Sequence, residues 1–197
     1  MRLPVSLGVV SISVLVALSG CASAPSVPFD SQDLSITVDY GQPLADLIRS
    51  GGYGWVYSEI NDRNFPPVSA GSRTESVRLV RLDPLVPIDT LVSREKGNGW
   101  RAADLEELLT FGRAYPDFLR GASVVGFGSS RVYPTISYIN YGMGTPMSQW
   151  TVITTQNFYP TLTRGLFGQS LVLMQEDMIP LYDPPGFYAC FVRDTDG

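Results

Sequence analysis

The sequence predicts an α+β domain in which two short helices pack on a mostly antiparallel sheet. Two amphipathic segments in the N-terminal half predict the helices, and short β-branched or aromatic runs in the remainder predict the strands. Of the 197 residues, 44% are hydrophobic and 17% are charged, which is typical of a globular protein. No internal repeat divides the chain. We therefore expect a single globular domain, over residues 34–197.

Residues 1–20 have the pattern of a bacterial secretion signal. Arg2 precedes an apolar run from Val5 to Ala17, which is shorter than the roughly 20 residues that a transmembrane helix needs. The sequence Leu18-Ser19-Gly20-Cys21 then resembles the lipobox of bacterial lipoproteins. This resemblance implies that Cys21 becomes the acylated first residue of the mature chain. The alternative is an ordinary signal peptide followed by an incidental cysteine.

Residues 21–33 are small, polar and proline-bearing, so we expect an extended tether between the lipid and the domain. Residue 22 is Ala rather than the Asp that retains lipoproteins in the inner membrane. Resemblance to bacterial lipoproteins therefore implies attachment to the outer membrane, with the domain on the periplasmic side or at the cell surface. Two acyl chains are enough for stable anchoring.

The first half of the domain contains one helix and three strands by pattern. Alternation predicts a strand over 35–40, and Pro43 followed by apolar positions predicts a helix over 44–50 that ends at Gly51. Aromatic and β-branched residues predict a strand over 53–60. Apolar residues at 77, 79, 80 and 82 predict another strand.

The second helix is predicted after the glycine-rich turn at residues 97–99. Asp104, Glu106 and Glu107 lie in its first turn, where the helix dipole favours acidic residues, and leucines at 105, 108 and 109 share one face. Pro116 ends it. The remaining runs predict strands over 123–128, 135–141, 150–155, 171–174 and 187–193.

Two segments carry a further resemblance. The stretch Gly99-Trp100-Arg101-Ala102-Ala103-Asp104-Leu105-Glu106-Glu107-Leu108 and the terminal Phe187-Tyr188-Ala189-Cys190-Phe191-Val192-Arg193 resemble signature segments of bacterial C-type-lectin-like domains, including those related to formylglycine-generating enzymes. Short uncharacterised bacterial proteins contain a similar helix followed by an apolar strand, like Val124-Val125-Gly126-Phe127-Gly128-Ser129 here. The resemblance implies a C-type-lectin-like fold. The calcium-sugar motifs and the cysteine pair of formylglycine formation are missing, so neither activity is implied.

Composition excludes several kinds of chemistry. Without histidine, the chain has no Ser/His or Cys/His catalytic arrangement and no imidazole metal site, and two cysteines are too few for a four-thiolate zinc site. A formal charge of −5 disfavours a nucleic-acid surface and a polybasic membrane patch. We expect no enzymatic activity, no cofactor and no metal. Cys190, in an apolar run, is expected to be buried and inert, with an intermolecular disulfide as the alternative.

Several polar motifs have a structural interpretation. Glu106 and Glu107 are adjacent on a helix, so they cannot face one substrate together, and we expect a solvated face. Glu59, Asp62 and Arg63 are expected to stabilise a turn, although a hydrolase that uses Glu59 or Asp62 is a third alternative function.

Other motifs lack the context that their chemistry requires. The acidic residues near the C-terminus have no calcium-loop spacing, and the two glycine pairs have no phosphate-loop context. The adjacent serines 129 and 130 have no general base to activate a hydroxyl, unless Lys96 acts as that base. These residues are Glu176, Asp177, Asp194 and Asp196; Gly126 with Gly128 and Gly142 with Gly144; and Ser129 with Ser130.

An aromatic-rich stretch between 133 and 159 is the candidate binding surface. Its rings lie among Gly, Asn, Ser, Thr and Gln, a composition that suits either a protein contact or sugar stacking, with core packing as the structural alternative. We expect a non-enzymatic interaction or structural component of an envelope assembly, with carbohydrate or peptidoglycan binding as the alternative. The candidate residues are Tyr133, Tyr138, Tyr141, Trp150, Phe158 and Tyr159.

Overall fold

The computed structural model describes residues 34–140, 149–165, 168–176, 179 and 186–194; the signal peptide, Cys21 and the tether lie outside them. The predicted α+β class is confirmed, but the described residues contain three α-helices rather than two. They are α1 (Leu44–Ser50), α2 (Ile88–Gly97) and α3 (Leu105–Ala114). The strands are β1 (Leu34–Asp39), β2 (Trp55–Val56), β3 (Ser72–Arg81), β4 (Arg101–Ala102), β5 (Ser123–Val125), β6 (Arg131–Asn140), β7 (Gln149–Gly165), β8 (Gly168–Gln175) and β9 (Phe187–Asp194).

All nine strands form one sheet. Seven of them follow the order β1-β3-β9-β5-β7-β8-β2, while β4 pairs with β9 and β6 pairs with β7. The pairs are antiparallel except for β2 with β8 and β5 with β9. The predicted mostly antiparallel sheet is therefore confirmed. β9 lies at its centre, with β3 along one edge and both β4 and β5 along the other.

Helices cover both faces of the sheet. On one face, α1 and α3 contribute Leu47, Leu108 and Phe111 to a core that also contains Cys190. On the other face, Leu91 of α2 packs in a smaller cluster of buried residues. Successive residues of a strand point to opposite faces, so central strands such as β9 supply apolar side chains to both clusters.

The two predicted helices form for the expected reasons. α1 follows Pro43 and buries Leu44 and Leu47. α3 begins after Asp104, whose side chain accepts a hydrogen bond from the Glu107 backbone N–H while the Glu107 side chain accepts one from the Asp104 N–H. This reciprocal capping box satisfies two backbone donors that the first helical turn leaves free.

One predicted strand is too long, and one helix was missed. The strand predicted over 53–60 shortens to β2, because Ile60 N–H donates to the Tyr57 carbonyl and the chain then turns. The helix α2 was not predicted: it has Pro87 at its N-cap without a side-chain cap, and buries only Leu91 and Glu95 among its ten residues. Its sequence therefore lacks the broad apolar stripe by which helices are usually recognised.

Candidate functional site

A two-stranded ribbon extends from the sheet, formed by β6 and residues 149–158 of β7. We call it the arm. Its register runs from Arg131 opposite Phe158 to Asn140 opposite Gln149. β7 pairs with β8 only from Phe158 onward. The arm therefore has ten residues in each strand, which correspond to a length of about 30 Å. Within the described residues, the outer edge of β6 pairs with no strand.

Two of the predicted aromatic residues pack together at the base of the arm. The rings of Tyr133 and Phe158 lie 5.2 Å apart at a near-perpendicular angle of 88°. The Tyr133 hydroxyl lies 3.4 Å from a carboxylate oxygen of Glu59. Burial, followed by the negative charge of Glu59, raises the pKa of Tyr133. The contact between Tyr133 and Glu59 therefore connects the arm to the turn that follows β2.

Tyr159 occupies a different environment. It is only 9% exposed and packs edge-on against Phe127 at 4.9 Å, in the smaller core cluster. Tyr138 and Trp150 are register positions of the arm, opposite Thr151 and Ile139, and Tyr141 lies outside the described residues. The predicted aromatic surface thus stays a prediction, and one of its six residues belongs to the core.

A groove of about 430 Å³ lies at the base of the arm. It runs between the loop that leads into α2 and a wall formed by residues 155–157 of β7 with the end of β8. Leu85 is 89% exposed in this loop, and on the opposite wall Asn157 donates a side-chain hydrogen bond of 3.0 Å to Glu176. The lining residues are Pro84, Leu85, Val86, Pro87, Ile88, Thr155, Gln156, Asn157, Gln175 and Glu176. Residues 84–88 were not predicted to line a site, because no charge pattern or motif distinguishes them in the sequence.

A buried charged cluster surrounds the start of α3. Arg101 donates to Glu107 at 2.8 Å and to Glu75 at 3.2 Å, and both carboxylates are fully buried. The Tyr40 hydroxyl donates to Glu75 at 3.3 Å and also to Glu107. Burial and the neighbouring Glu107 raise the pKa of Tyr40. This arrangement places Arg101 between two carboxylates, so each buried negative charge has a cation and hydrogen bonds beside it, and removal of the cation would be costly.

The predicted solvated face of Glu106 and Glu107 is wrong. Glu106 is 6% exposed and Glu107 is fully buried. Burial of the Glu107 carboxylate is compensated by its capping hydrogen bond and by the cation of Arg101 beside it. Burial first, and then the charge of Glu107, raises the pKa of Asp104 to about 8. Burial also raises the pKa of Glu106.

The polar segment after β2 forms the expected turn. The Asn64 side-chain amide donates to the Glu59 backbone carbonyl at 2.8 Å and to the Glu59 carboxylate at 2.9 Å. The Asn61 side chain donates to the Ser58 carbonyl at 3.0 Å. These bonds fix the turn through side-chain amides, as expected for Asn in turns.

The glycines and hydroxyls near 126–130 serve the packing of α3. A side chain at Gly128 would place its Cβ 2.5 Å from the Ala102 carbonyl oxygen, so only glycine allows this close approach. The Ser129 hydroxyl accepts a 3.0 Å hydrogen bond from the Leu105 N–H. Gly126 also lies against the backbone at Ala103. The pair Gly142 and Gly144 lies outside the described residues.

The remaining candidate residues are Cys190 and the acidic residues near the C-terminus. Cys190 is a free cysteine with no exposed surface, as predicted, and burial raises the pKa of its thiol. Asp194 ends β9, while Asp177 and Asp196 lie outside the described residues. Across the part of the chain that the structure describes, no group of three or more metal-ligating side chains occurs.

Comparison with protein-family models, with curated protein sequences and with solved structures gave no match. In the described part of the chain, none of the helices has the length and apolar character needed to span a bilayer.

Proposed function

We propose that the protein is a lipoprotein, anchored to the outer membrane through Cys21, whose arm binds another envelope protein. In this proposal the domain is a non-enzymatic component of an envelope assembly. The observation that carries it is the arm itself, in which β6 presents ten residues with an outer edge that pairs with no described strand. Such an edge offers backbone donors and acceptors to a partner strand, with an interruption at Pro134, which has no N–H.

The composition of the arm supports a protein partner. Val132 is 53% exposed on β6 and Pro134 is exposed two residues later. A two-stranded ribbon is marginally stable in water by itself, so added contacts would stabilise it. Aromatic residues with hydroxyl and amide neighbours are typical of binding surfaces. A partner that adds a strand would use the backbone of β6 for affinity and these side chains for specificity.

Site-specific photo-crosslinking in the producing cells tests the role of the arm. A photo-reactive amino acid at Val132 should give one adduct of defined mass. Val68 is the matched control, since it is also a valine and is 60% exposed. The proposal is contradicted if Val132 yields no adduct, or if Val68 yields the same adduct with equal efficiency. Recovery only as a free monomer in mild detergent would also contradict it.

The number of cysteine thiols that react with maleimide tests the anchor separately. Cys21 and Cys190 are the two cysteines of the chain, and Cys190 has no exposed surface. If Cys21 is acylated, maleimide should label no thiol in the native protein and one after unfolding in urea. Mass spectrometry should show the added diacylglyceryl mass at Cys21. A label on native Cys21 would exclude the anchor.

Carbohydrate or peptidoglycan binding is the second proposal, and the groove at the base of the arm favours it. Its amide side chains and the exposed Leu85 combine hydrogen-bonding groups with an apolar surface, which is the combination that small-ligand sites use. A glycan array probed with the detergent-solubilised chain tests this function. Binding that is lost in Asn157→Ala but kept in Val132→Ala would support it; no binding at millimolar sugar would exclude it.

We further propose a C-type-lectin-like relationship for the domain. Two contacts between the resembling segments support it: β4 pairs with β9 through Arg101 opposite Val192, and Arg193 lies 4.4 Å from the centre of the Trp100 ring. An experimental structure that superposes on C-type-lectin-like domains through the sheet and both segments would support the relationship. Superposition on a different fold would exclude it.

A further inference from the structure

Several cationic side chains lie close to Trp100, on the face of the sheet that α2 covers. The guanidinium carbons of Arg193 and Arg78 lie 4.4 Å and 5.5 Å from the centre of the Trp100 ring. Arg94 and Lys96 are exposed on the adjoining end of α2. We call these five residues the Trp100 face. Such a mixture of an indole ring with arginine and lysine is typical of surfaces that meet lipid headgroups.

The charges of this face are only partly compensated among the described residues. Glu95 forms ion pairs with both Arg78 and Arg94, at 3.2 Å and 3.0 Å. Arg193 donates to the backbone carbonyls of Asn98 and Gly99, which leaves its positive charge in place. The overall charge of −5 averages over the whole chain and hides this local excess of positive charge.

The N-terminal end of the described chain lies close to this face. Ser35 of β1 lies opposite Ser76, which lies opposite Arg193, so Ser35 and Arg193 are two strand spacings, or about 10 Å, apart. The described chain thus begins at the same end of the sheet as the Trp100 face. Residues 21–33 span at most about 45 Å when fully extended.

We propose that the Trp100 face docks the domain on anionic phospholipid headgroups of the leaflet that holds the acyl anchor. This inference rests on the proposed anchoring at Cys21. The anchor keeps the face at a high local concentration near the bilayer, so a few cations are sufficient for docking. Docking in this orientation would fix which parts of the domain, the arm among them, are presented to a partner.

Energy transfer from Trp100 to dansyl-labelled headgroups measures docking directly. The full chain, carrying Trp55→Phe and Trp150→Phe so that Trp100 is the only tryptophan, is reconstituted in vesicles. We expect greater transfer in phosphatidylcholine vesicles with about a third phosphatidylglycerol than in pure phosphatidylcholine. The difference should disappear in 0.5 M NaCl, roughly the ionic strength at which exposed charges are screened within a few ångströms.

A matched pair of double variants tests the site. Arg94→Gln with Lys96→Gln removes two cations of the Trp100 face, and should lower the ratio of docked to undocked domain about 25-fold. Arg113→Gln with Arg120→Gln removes two exposed cations near the end of α3, and should leave the ratio unchanged. Equal transfer in both lipid mixtures would overturn the docking proposal, as would equal losses in the two double variants.

Flotation separates this proposal from the anchor. An acylated chain should float with vesicles in 1 M NaCl, because salt screens charges but does not weaken burial of acyl chains. Flotation without lipid-dependent energy transfer would overturn docking and leave the anchor supported. Flotation that requires both low salt and phosphatidylglycerol would overturn the anchor and, with it, docking on the leaflet that holds the anchor.

Discussion

The centre of the sheet and the arm are built from similar strands but differ in what surrounds them. β9 is bordered by three strands, and both its faces are buried, with Cys190 on one and Phe191 on the other. The arm is two strands wide over ten register pairs. Burial of apolar surface is the main source of stability, so the centre should determine whether the domain folds. The arm can then change its residues for binding at little cost in stability.

Truncation of a core side chain should give the largest difference between the two regions. Phe111 of α3 is fully buried, so Phe111→Ala should lower the free energy of unfolding by about 3–5 kcal/mol. Val132→Ala in the arm should change it by less than about 0.5 kcal/mol. Urea denaturation followed by circular dichroism measures both. Comparable losses in the two variants would show that the arm is part of the folding core.

Removal of the arginine that two buried carboxylates share should have the next largest effect. Arg101→Leu leaves Glu75 and Glu107 without their shared cation, and should cost about 3 kcal/mol in urea denaturation. Arg120→Leu is the control, because Arg120 forms only an exposed ion pair with Asp117 and should be nearly neutral. A stability of Arg101→Leu equal to that of the wild type would mean that the charged cluster is not needed for folding.

Stability should fall as pH rises from about 4 to 8. The pKa of Asp104 rises from its ordinary 3.8 to about 8 in the folded chain, so the folded state holds a proton that the unfolded state has lost. Raising the pH through this interval therefore favours unfolding, by up to about 1.4 kcal/mol for each pKa unit of difference.

Asp104→Asn should flatten this pH dependence, because asparagine keeps the helix cap and does not titrate. Urea midpoints measured at pH 5 and pH 8 give the comparison. A midpoint that rises toward pH 8 in the wild type, or an equal decline in the two proteins, would contradict the assignment to Asp104.

The smallest expected effect concerns Cys190. Because its thiol is fully buried and its pKa is raised, native protein should react with maleimide only as fast as the domain unfolds. Added urea below the unfolding midpoint should therefore accelerate labelling. Rapid labelling of the folded chain at Cys190 would show that the centre of the sheet opens locally.

Local patterns predicted the elements whose cause is local. α1 and α3 carry their apolar faces and start signals in their own sequence, and the apolar half of β3 was predicted from residues 77–82. The polar half of β3 was missed, since Glu75 is buried beside Arg101, 26 residues away, and Tyr40, 35 residues away. α2 was missed for the related reason that its stability comes from packing against the sheet.

The site was predictable only in part. Composition marked the aromatic stretch, but whether a ring joins the core or the arm depends on where β7 changes partners, at Phe158. Alternation then directs Tyr159 to the buried cluster beside Phe127. The adjacent Glu106 and Glu107 were misjudged because a charged pair on a helix is normally solvated, and only the fold brings Arg101 and Tyr40 to Glu107.

The central position of β9 has a consequence for biogenesis. β9 follows every other strand in sequence, and its partner β3 begins more than a hundred residues earlier. During synthesis the nascent polypeptide therefore lacks the strand that joins the two halves of its sheet until β9 has been translated. Pairings of such long sequence separation form slowly. In the described part of the chain, completion of the sheet should therefore follow the translation of β9.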